Sequence, residues 1–263
     1  MTLKVFITGA STGIGEALAV YYAGKGATLG LAARRAEFLD ALNRRLGGTH
    51  ATFALDVRDA PALHAAAADF IARFGAPDIV IANAGISAGT LTEHEEDLEA
   101  FRQIMDTNVF GMAATFAPFI PALRAAPGES GKMRRLVGIA SVAGIRGLPG
   151  AEAYSASKAA AITYLESLRL EMRPYGIKVV TIAPGYIETP MTAVNRYKMP
   201  FLLAADVAAA RFAKAIARGA TYAVIPWPMG IVAKVLRLLP NWLYDRLFER
   251  APRKARDLLK WAP

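Results

Sequence analysis

The sequence predicts an α/β fold: a single domain on a doubly wound parallel sheet of about seven strands, with a helical C-terminal extension. Three observations carry this. Apolar runs of strand length alternate with longer amphipathic stretches along most of the chain, the rhythm that places a parallel sheet between two helical layers. The runs end in residues suited to a ligand, namely the loop Gly9–Gly15, Arg34, Asp56, Asn83, Ser141 and Pro184, and ligands of such sheets bind outside the C-terminal strand ends. Finally, 263 residues with 54% hydrophobic and 20% charged side chains suffice for one large core.

Val5-Phe6-Ile7 is the first strand, followed by Thr8-Gly9-Ala10-Ser11-Thr12-Gly13-Ile14-Gly15 and an amphipathic helix that Gly24 and Gly26 close. Strand, glycine turn and helix together let backbone N–H groups approach a pyrophosphate. The glycines fall as G-x-x-x-G-x-G and not as the usual G-x-G-x-x-G, so a turn that merely tolerates glycine is the alternative. Residues 27–33 form the second strand. A carboxylate at the end of this strand would bind the ribose 2′-OH of NAD, and an arginine accommodates the 2′-phosphate of NADP. Ala33 leaves the acidic place empty and Arg34 and Arg35 follow, which favours NADP(H) over NAD(H).

Residues 36–46 read as a helix and 49–55 as the third strand, with Asp56-Val57 at its end. Asp59 is placed to cap a helix whose first turn holds Pro61. The fourth strand, 78–82, ends in Asn83-Ala84-Gly85. A helix over 98–125 is bent or ended by Pro118 and Pro121, and Asn108 sits inside it, an unfavourable place that suggests a functional position. Strand five, 136–140, ends at Ser141, and strand six, 177–182, leads to Pro184-Gly185. Residues 186–205 are expected to cover a substrate. Their Tyr186, Met191, Tyr197, Met199, Phe201 and Leu202 suit a lipophilic molecule or, equally, pack on one another. Asp206 is expected to cap the next helix, and strand seven spans 222–225.

The helix over 152–172 carries Tyr154 and Lys158, one turn apart on one face. A phenol has a reference pKa of about 10, and a nearby cation lowers it, so the pair suits proton transfer. The chain holds a second Tyr-x-x-x-Lys, Tyr21 to Lys25. It lies near the far end of the helix that starts at the glycine loop, and reads as an ordinary surface pair.

With these residues in place, the chain resembles the short-chain dehydrogenase/reductases of the branch with single-domain, Rossmann-type subunits. The resemblance rests on TGASTGIG at 8–15, Asp56, NAG at 83–85, Asn108, Ser141, YSASK at 154–158, Pro184-Gly185 and Thr189. It implies that Tyr154 is the catalytic acid/base and that Lys158 lowers its pKa and holds the nicotinamide ribose. Ser141 would bond the substrate oxygen, and Asn108 would support a relay water. It further implies that the cofactor is held by Gly9, Ser11, Thr12, Gly13, Ile14 and Gly15 and by Arg34, Arg35, Asp56 and Val57. Asn83, Ala84, Gly85, Pro184, Gly185, Ile187 and Thr189 complete that set. The implied activity is NADP(H)-dependent interconversion of a carbonyl and a secondary alcohol. A non-catalytic dinucleotide-binding scaffold on the same fold is the competing reading, since fold alone does not fix function.

The chain has no cysteine, which removes disulfides, thiolate catalysis and Cys-ligated zinc. The three histidines show no metal-ligand spacing, so no metal is expected. No secretory signal or membrane-spanning run is visible, so a cytoplasmic protein is expected. The net charge is +9. From residue 230 on, eight Lys/Arg oppose three Asp/Glu, so five of those nine charges lie in the extension. They alternate there with Ile231, Val235, Leu238 and Trp242, a pattern that suits a membrane interface or a cover for the substrate site or a dimer interface. Nucleic acid is not expected. We therefore divide the chain into a domain at 1–228 and a basic amphipathic extension at 229–263, and expect a homodimer built on the helices at 98–125 and 152–172.

Overall fold

The computed structural model describes residues 2–125, 134–195 and 197–256. Seven parallel strands form one sheet: β1 (Lys4–Thr8), β2 (Thr28–Ala33), β3 (Ala51–Ala54), β4 (Ile79–Ala82), β5 (Arg135–Ile139), β6 (Lys178–Pro184) and β7 (Tyr222–Ile225). Their order is β3-β2-β1-β4-β5-β6-β7. The chain thus winds outward from β1 to β3, returns to β4 beside β1, and winds outward again. The crevice where the direction reverses lies between β1 and β4.

Side chains of a strand alternate between faces, and β1 shows how this builds two cores. Val5 and Ile7 join Leu18, Leu29, Leu31, Phe212 and Ile216, under α1 (Gly13–Ala23), α2 (Ala36–Arg45) and a later helix at Ala205–Arg218. Phe6 faces the other way and joins Phe70, Phe116, Phe119, Leu136 and Leu165. Its ring centroid lies 4.7 Å from that of Phe119 and 5.6 Å from that of Phe70. This second core lies under α3 (Ala60–Phe74), α5 (Gly111–Phe116) and α7 (Glu152–Met172). A strand buried on both faces explains why β1 reads as a continuous apolar run.

Asp59 caps α3, its carboxylate accepting from Ala62 N at 3.0 Å. The helical stretch at 98–125 is interrupted as expected by the turn that holds Pro118, before α6 (Ile120–Ala125), and also, unexpectedly, by a π-helical turn at Asp106–Phe110 between α4 (Asp97–Met105) and α5. After β6 come α8 (Pro190–Ala193) and α9 (Ala205–Arg218). Ala204, not Asp206, is the N-cap of α9. Asp206 lies in the first helical turn, where a carboxylate also meets the helix dipole favourably, and it bonds Val207 N at 2.7 Å.

The stretch expected as an extension from 229 on forms α10 (Trp227–Leu238), which begins two residues earlier, and α11 (Asn241–Phe248), with Pro240 as the N-cap of α11. Arg146 ties them to the body. Its guanidinium donates to Leu236 O and Leu239 O at 2.5 and 2.7 Å and lies 3.9 Å from the Tyr244 ring centre. Tyr244 Oη donates to Gly147 O at 2.6 Å. The outer face stays apolar and exposed: Trp227 and Trp242 are each 70% exposed and Leu238 82%. Among the described residues, no helix is long and apolar enough to cross a membrane.

Candidate active site

One cleft opens at the β1/β4 crevice. It is lined by the glycine loop, by Arg34, Arg35, Asp56 and Val57 beyond β2 and β3, by Asn83, Ala84 and Gly85 beyond β4, and by Pro184, Gly185, Ile187 and Thr189 beyond β6. Ser141, Tyr154 and Lys158 line it too. Two expected residues do not. Gly15 lies behind the loop, where a Cβ would collide with Gly9 O, so it lets α1 pack closely on β1. Asn108 is fully buried beneath the cleft.

The loop is held open from below. Asn83 Nδ2 donates to Thr8 O and Gly9 O at 3.0 and 3.1 Å, which pins the turns after β1 and β4 together. Gly9 has φ of +66°, and a Cβ there would press on Ala84 and Asn83. Thr12 is the N-cap of α1, yet its side chain makes no cap hydrogen bond. The first-turn N–H groups are therefore left for an anion from outside. This cradle fits a dinucleotide pyrophosphate.

At the adenosine end, Arg58 clasps Asp56 at 2.6–3.1 Å. Burial pushes the Asp56 carboxyl up, but the hydrogen bonds and charge of Arg58, helped by Arg34, outweigh it and lower the carboxyl below its usual range. Arg35 lies 4.0 Å from the Phe38 ring centre. Arg34 is exposed at the rim. Among the described residues it makes no ion pair, so its guanidinium is available to a phosphate.

At the other end of the cleft, Lys158 Nζ donates to Ile139 O at 2.9 Å and is almost wholly buried. Burial lowers its pKa to about 8. For Tyr154 burial is also the larger influence. It raises the phenol pKa, and a hydrogen bond with Ser141 opposes the rise. The lowering of Tyr154 expected from Lys158 does not appear: burial raises this phenol, and the opposing influence comes from Ser141. The surface pair makes the contrast plain: Lys25 Nζ lies 5.9 Å from the Tyr21 ring centre and Lys158 Nζ 5.8 Å from that of Tyr154. Spacing sets the same geometry twice, and only one pair is sunk into a cleft.

Asn108 explains the broken helix. It lies in the π-helical turn, a bulge often found at functional sites. Its Oδ1 accepts from Ile86 N at 2.8 Å, and its Nδ2 donates to Ile86 O at 3.0 Å and to Ser157 Oγ at 3.0 Å. Ser157 Oγ in turn donates to Tyr154 O at 2.8 Å. Both amide hydrogens are taken, so this side chain leaves only the second lone pair of Oδ1 for a relay water.

The short chain dehydrogenase family profile matches residues 3–199. This chain belongs to the short chain dehydrogenase family. An uncharacterized oxidoreductase of Myxococcus xanthus strain DK1622 is 38% identical over 247 residues, covering 93% of this dehydrogenase and 95% of that protein. The 11-beta-hydroxysteroid dehydrogenase-like 2 of Arabidopsis thaliana is 35% identical over 258 residues, covering 93% and 81%. A short chain dehydrogenase of Burkholderia cenocepacia J2315 in complex with NADP superposes with a TM-score of 0.79, 26% identity and coverage of 95% and 98%. The 3-ketoacyl-(acyl-carrier-protein) reductase of Brucella melitensis complexed with NADH gives 0.78, 26%, and 85% and 96%. This dehydrogenase is thus an oxidoreductase of a family that binds nicotinamide dinucleotides.

The sequence reading missed Ser157, whose hydroxyl links Asn108 to the start of α7, and the carbonyls of Ile86 and Ile139. Carbonyls carry no sequence signal. It also missed Lys254, which reaches Tyr154 from outside the cleft, 6.0 Å from its ring centre.

Proposed function

We propose that this dehydrogenase is an NADP(H)-dependent enzyme that interconverts a carbonyl and a secondary alcohol on a lipophilic substrate. The observation that carries the reading is the convergence of Tyr154, Ser141 and Lys158 at one end of a cleft whose other end is a phosphate cradle. When bound, a nicotinamide cofactor supplies or accepts the hydride. The Ser141 hydroxyl donates to the substrate oxygen as negative charge builds there, and Tyr154 passes it a proton, or takes one in the reverse direction. The buried Lys158 cation favours the phenolate that remains and is placed to hold a ribose hydroxyl. Asn108 and Ser157 fix the first turn of α7 and so the aim of Tyr154. Ile187 and Thr189 are placed for a carboxamide, and Arg34 for a 2′-phosphate.

A lipophilic substrate is supported by the segment after β6. The Tyr186 and Tyr197 rings meet edge to face at 6.3 Å, and burial with the neighbouring phenols of Tyr186 and Tyr154 raises the Tyr197 pKa to about 12. The influence of Tyr154 on Tyr197 sets this ring pair near the reacting phenol. The apolar outer face of α10 and α11, with Lys234, Arg237 and Arg246 on the same two helices, supports peripheral contact with an anionic membrane. Exposed Leu98, Phe110 and Leu170 support a homodimer through the helices around α4 and α7. We read the protein as cytoplasmic.

The test is turnover of NADPH with a panel of long-chain ketones by wild type and Tyr154→Phe. The reading expects loss of roughly 10²-fold or more in kcat with NADPH affinity kept. An undiminished rate would sink it.

A further inference from the structure

The chain after α11 runs back across the front of the candidate site, and two glycines make room for it. A Cβ on Gly89 would collide with Lys254 O, and one on Gly150 would press on the Arg253 side chain at 2.8 Å. Gly89 N donates to Ala255 O at 2.9 Å. Arg256 anchors the crossing. Its Nε donates to Asp97 Oδ2 at 2.7 Å and its Nη2 to Glu96 Oε1 at 2.9 Å. Asp97 is 6% exposed and also accepts from Leu91 N at 2.9 Å. An arginine on a nearly buried carboxylate is a firmer tie than an exposed pair. The strap is therefore tied down beside the site.

The strap sets Lys254 beside Tyr154. Its Nζ lies 6.0 Å from the Tyr154 ring centre, and Lys158 lies 5.8 Å from the same ring. The two lysines occupy different places. Lys158 lines the cofactor cleft and Lys254 does not. Ser87 Oγ, on the turn beyond β4, accepts from Lys254 Nζ at 2.9 Å. Among the described residues this is the only hydrogen bond of that ammonium, and no carboxylate pairs with it. An ammonium carries three N–H donors, so two remain for a ligand. Burial lowers its pKa to about 8, which shows the cost of keeping a cation here with one neutral partner.

We propose that Lys254, with Ser87, is the receptor for a carboxylate on the substrate, so that the enzyme favours lipophilic oxo or hydroxy acids over neutral ketones and alcohols. This deepens the proposed function and rests on it. The apolar wall of Tyr186 and Tyr197 takes the hydrocarbon, Tyr154 and Ser141 take the reacting oxygen, and Lys254 takes the acid. Because Lys254 adjoins the Tyr154 ring, the carboxylate lies within a few bonds of the reacting carbon.

Two readouts test this. In the first, nonanoate and nonanamide are titrated calorimetrically into full-length wild type, Lys254→Met and Lys254→Arg, with and without NADPH. We expect nonanoate to bind wild type about ten-fold or more tighter than nonanamide, as a charge-assisted hydrogen bond provides. We expect Lys254→Met to lose that difference and Lys254→Arg to keep most of it, with thermal unfolding of both variants near wild type. Equal binding of the two probes, binding of neither, or a preference that survives in Lys254→Met overturns the proposal. In the second, NADPH-dependent reduction of 4-oxononanoate is compared with that of its methyl ester. A kcat/KM preference for the acid that Lys254→Met abolishes through KM supports the proposal, and a preference for the ester overturns it. If nonanoate binding depends on Lys254 yet no carbonyl is reduced, the receptor stands and the oxidoreductase reading falls. If ketones are reduced through Tyr154 with no preference for acids, the oxidoreductase reading stands and the receptor falls.

Discussion

Asn108 and Ser157 form a measurable pair. Asn108 is fully buried and makes three hydrogen bonds, to Ile86 N, Ile86 O and Ser157 Oγ. Ser157 is also fully buried and makes two, to Asn108 and to Tyr154 O. At about 1 kcal/mol net per buried bond, Asn108→Ala should cost about 3 kcal/mol and Ser157→Ala about 2 kcal/mol. The two share one bond, so the double variant should cost about 4 kcal/mol, and the cycle should show a coupling of about 1 kcal/mol. Urea unfolding followed by circular dichroism at 25 °C gives all four values. A double variant whose cost equals the sum of the single ones, or an Asn108→Ala cost below about 1 kcal/mol, would refute the view that this amide holds the start of α7.

Other outcomes follow from the same site. Arg34→Ala should weaken NADPH about ten-fold or more, the worth of a charge-assisted contact, and leave NADH unchanged in calorimetric titration; an equal loss for both would remove Arg34 from cofactor choice. Lys158 has a folded pKa of about 8 against a reference of 10.5, so between those values the unfolded chain binds the extra proton and stability rises with pH. Wild type should therefore gain stability relative to Lys158→Met as pH goes from 8 to 10 in urea titrations, and a flat difference would contradict the burial argument. Replacing Trp227 and Trp242 together by Ser should reduce co-sedimentation of the full chain with phosphatidylserine vesicles and leave thermal unfolding near wild type; unaltered co-sedimentation would remove α10 and α11 from any membrane contact.

The fold was legible because each strand is a compact apolar run ended by a residue with chemistry of its own. Periodicity also placed α7 and the Asp59 cap correctly. It failed where tertiary contacts override local pattern. The stretch at 98–125 reads as helical up to the break at Pro118, but Asn108 needs its amide turned toward Ile86 and Ser157, and a π-helical turn supplies the rotation. Asp206 looks like a cap from sequence, yet the N-cap is Ala204 and the helix begins two residues earlier than such a cap would place it. The Tyr154 and Lys158 pair was legible, though its electrostatics were not: spacing shows that an ammonium adjoins the phenol but not that burial dominates both. Lys254 was beyond reach, because it meets Ser87 across 167 positions and no local pattern marks that encounter. The glycines that admit the strap, Gly89 and Gly150, read simply as loop residues.

We propose the cleft as an NADP(H) site serving Tyr154. Its most direct test is calorimetric titration of wild type and Tyr154→Phe with NADPH and NADH. NADPH should bind both proteins, about ten-fold or more tighter than NADH, since the phenol is not needed for the phosphate cradle. Binding of neither nucleotide to wild type would rule out the cleft as a dinucleotide site.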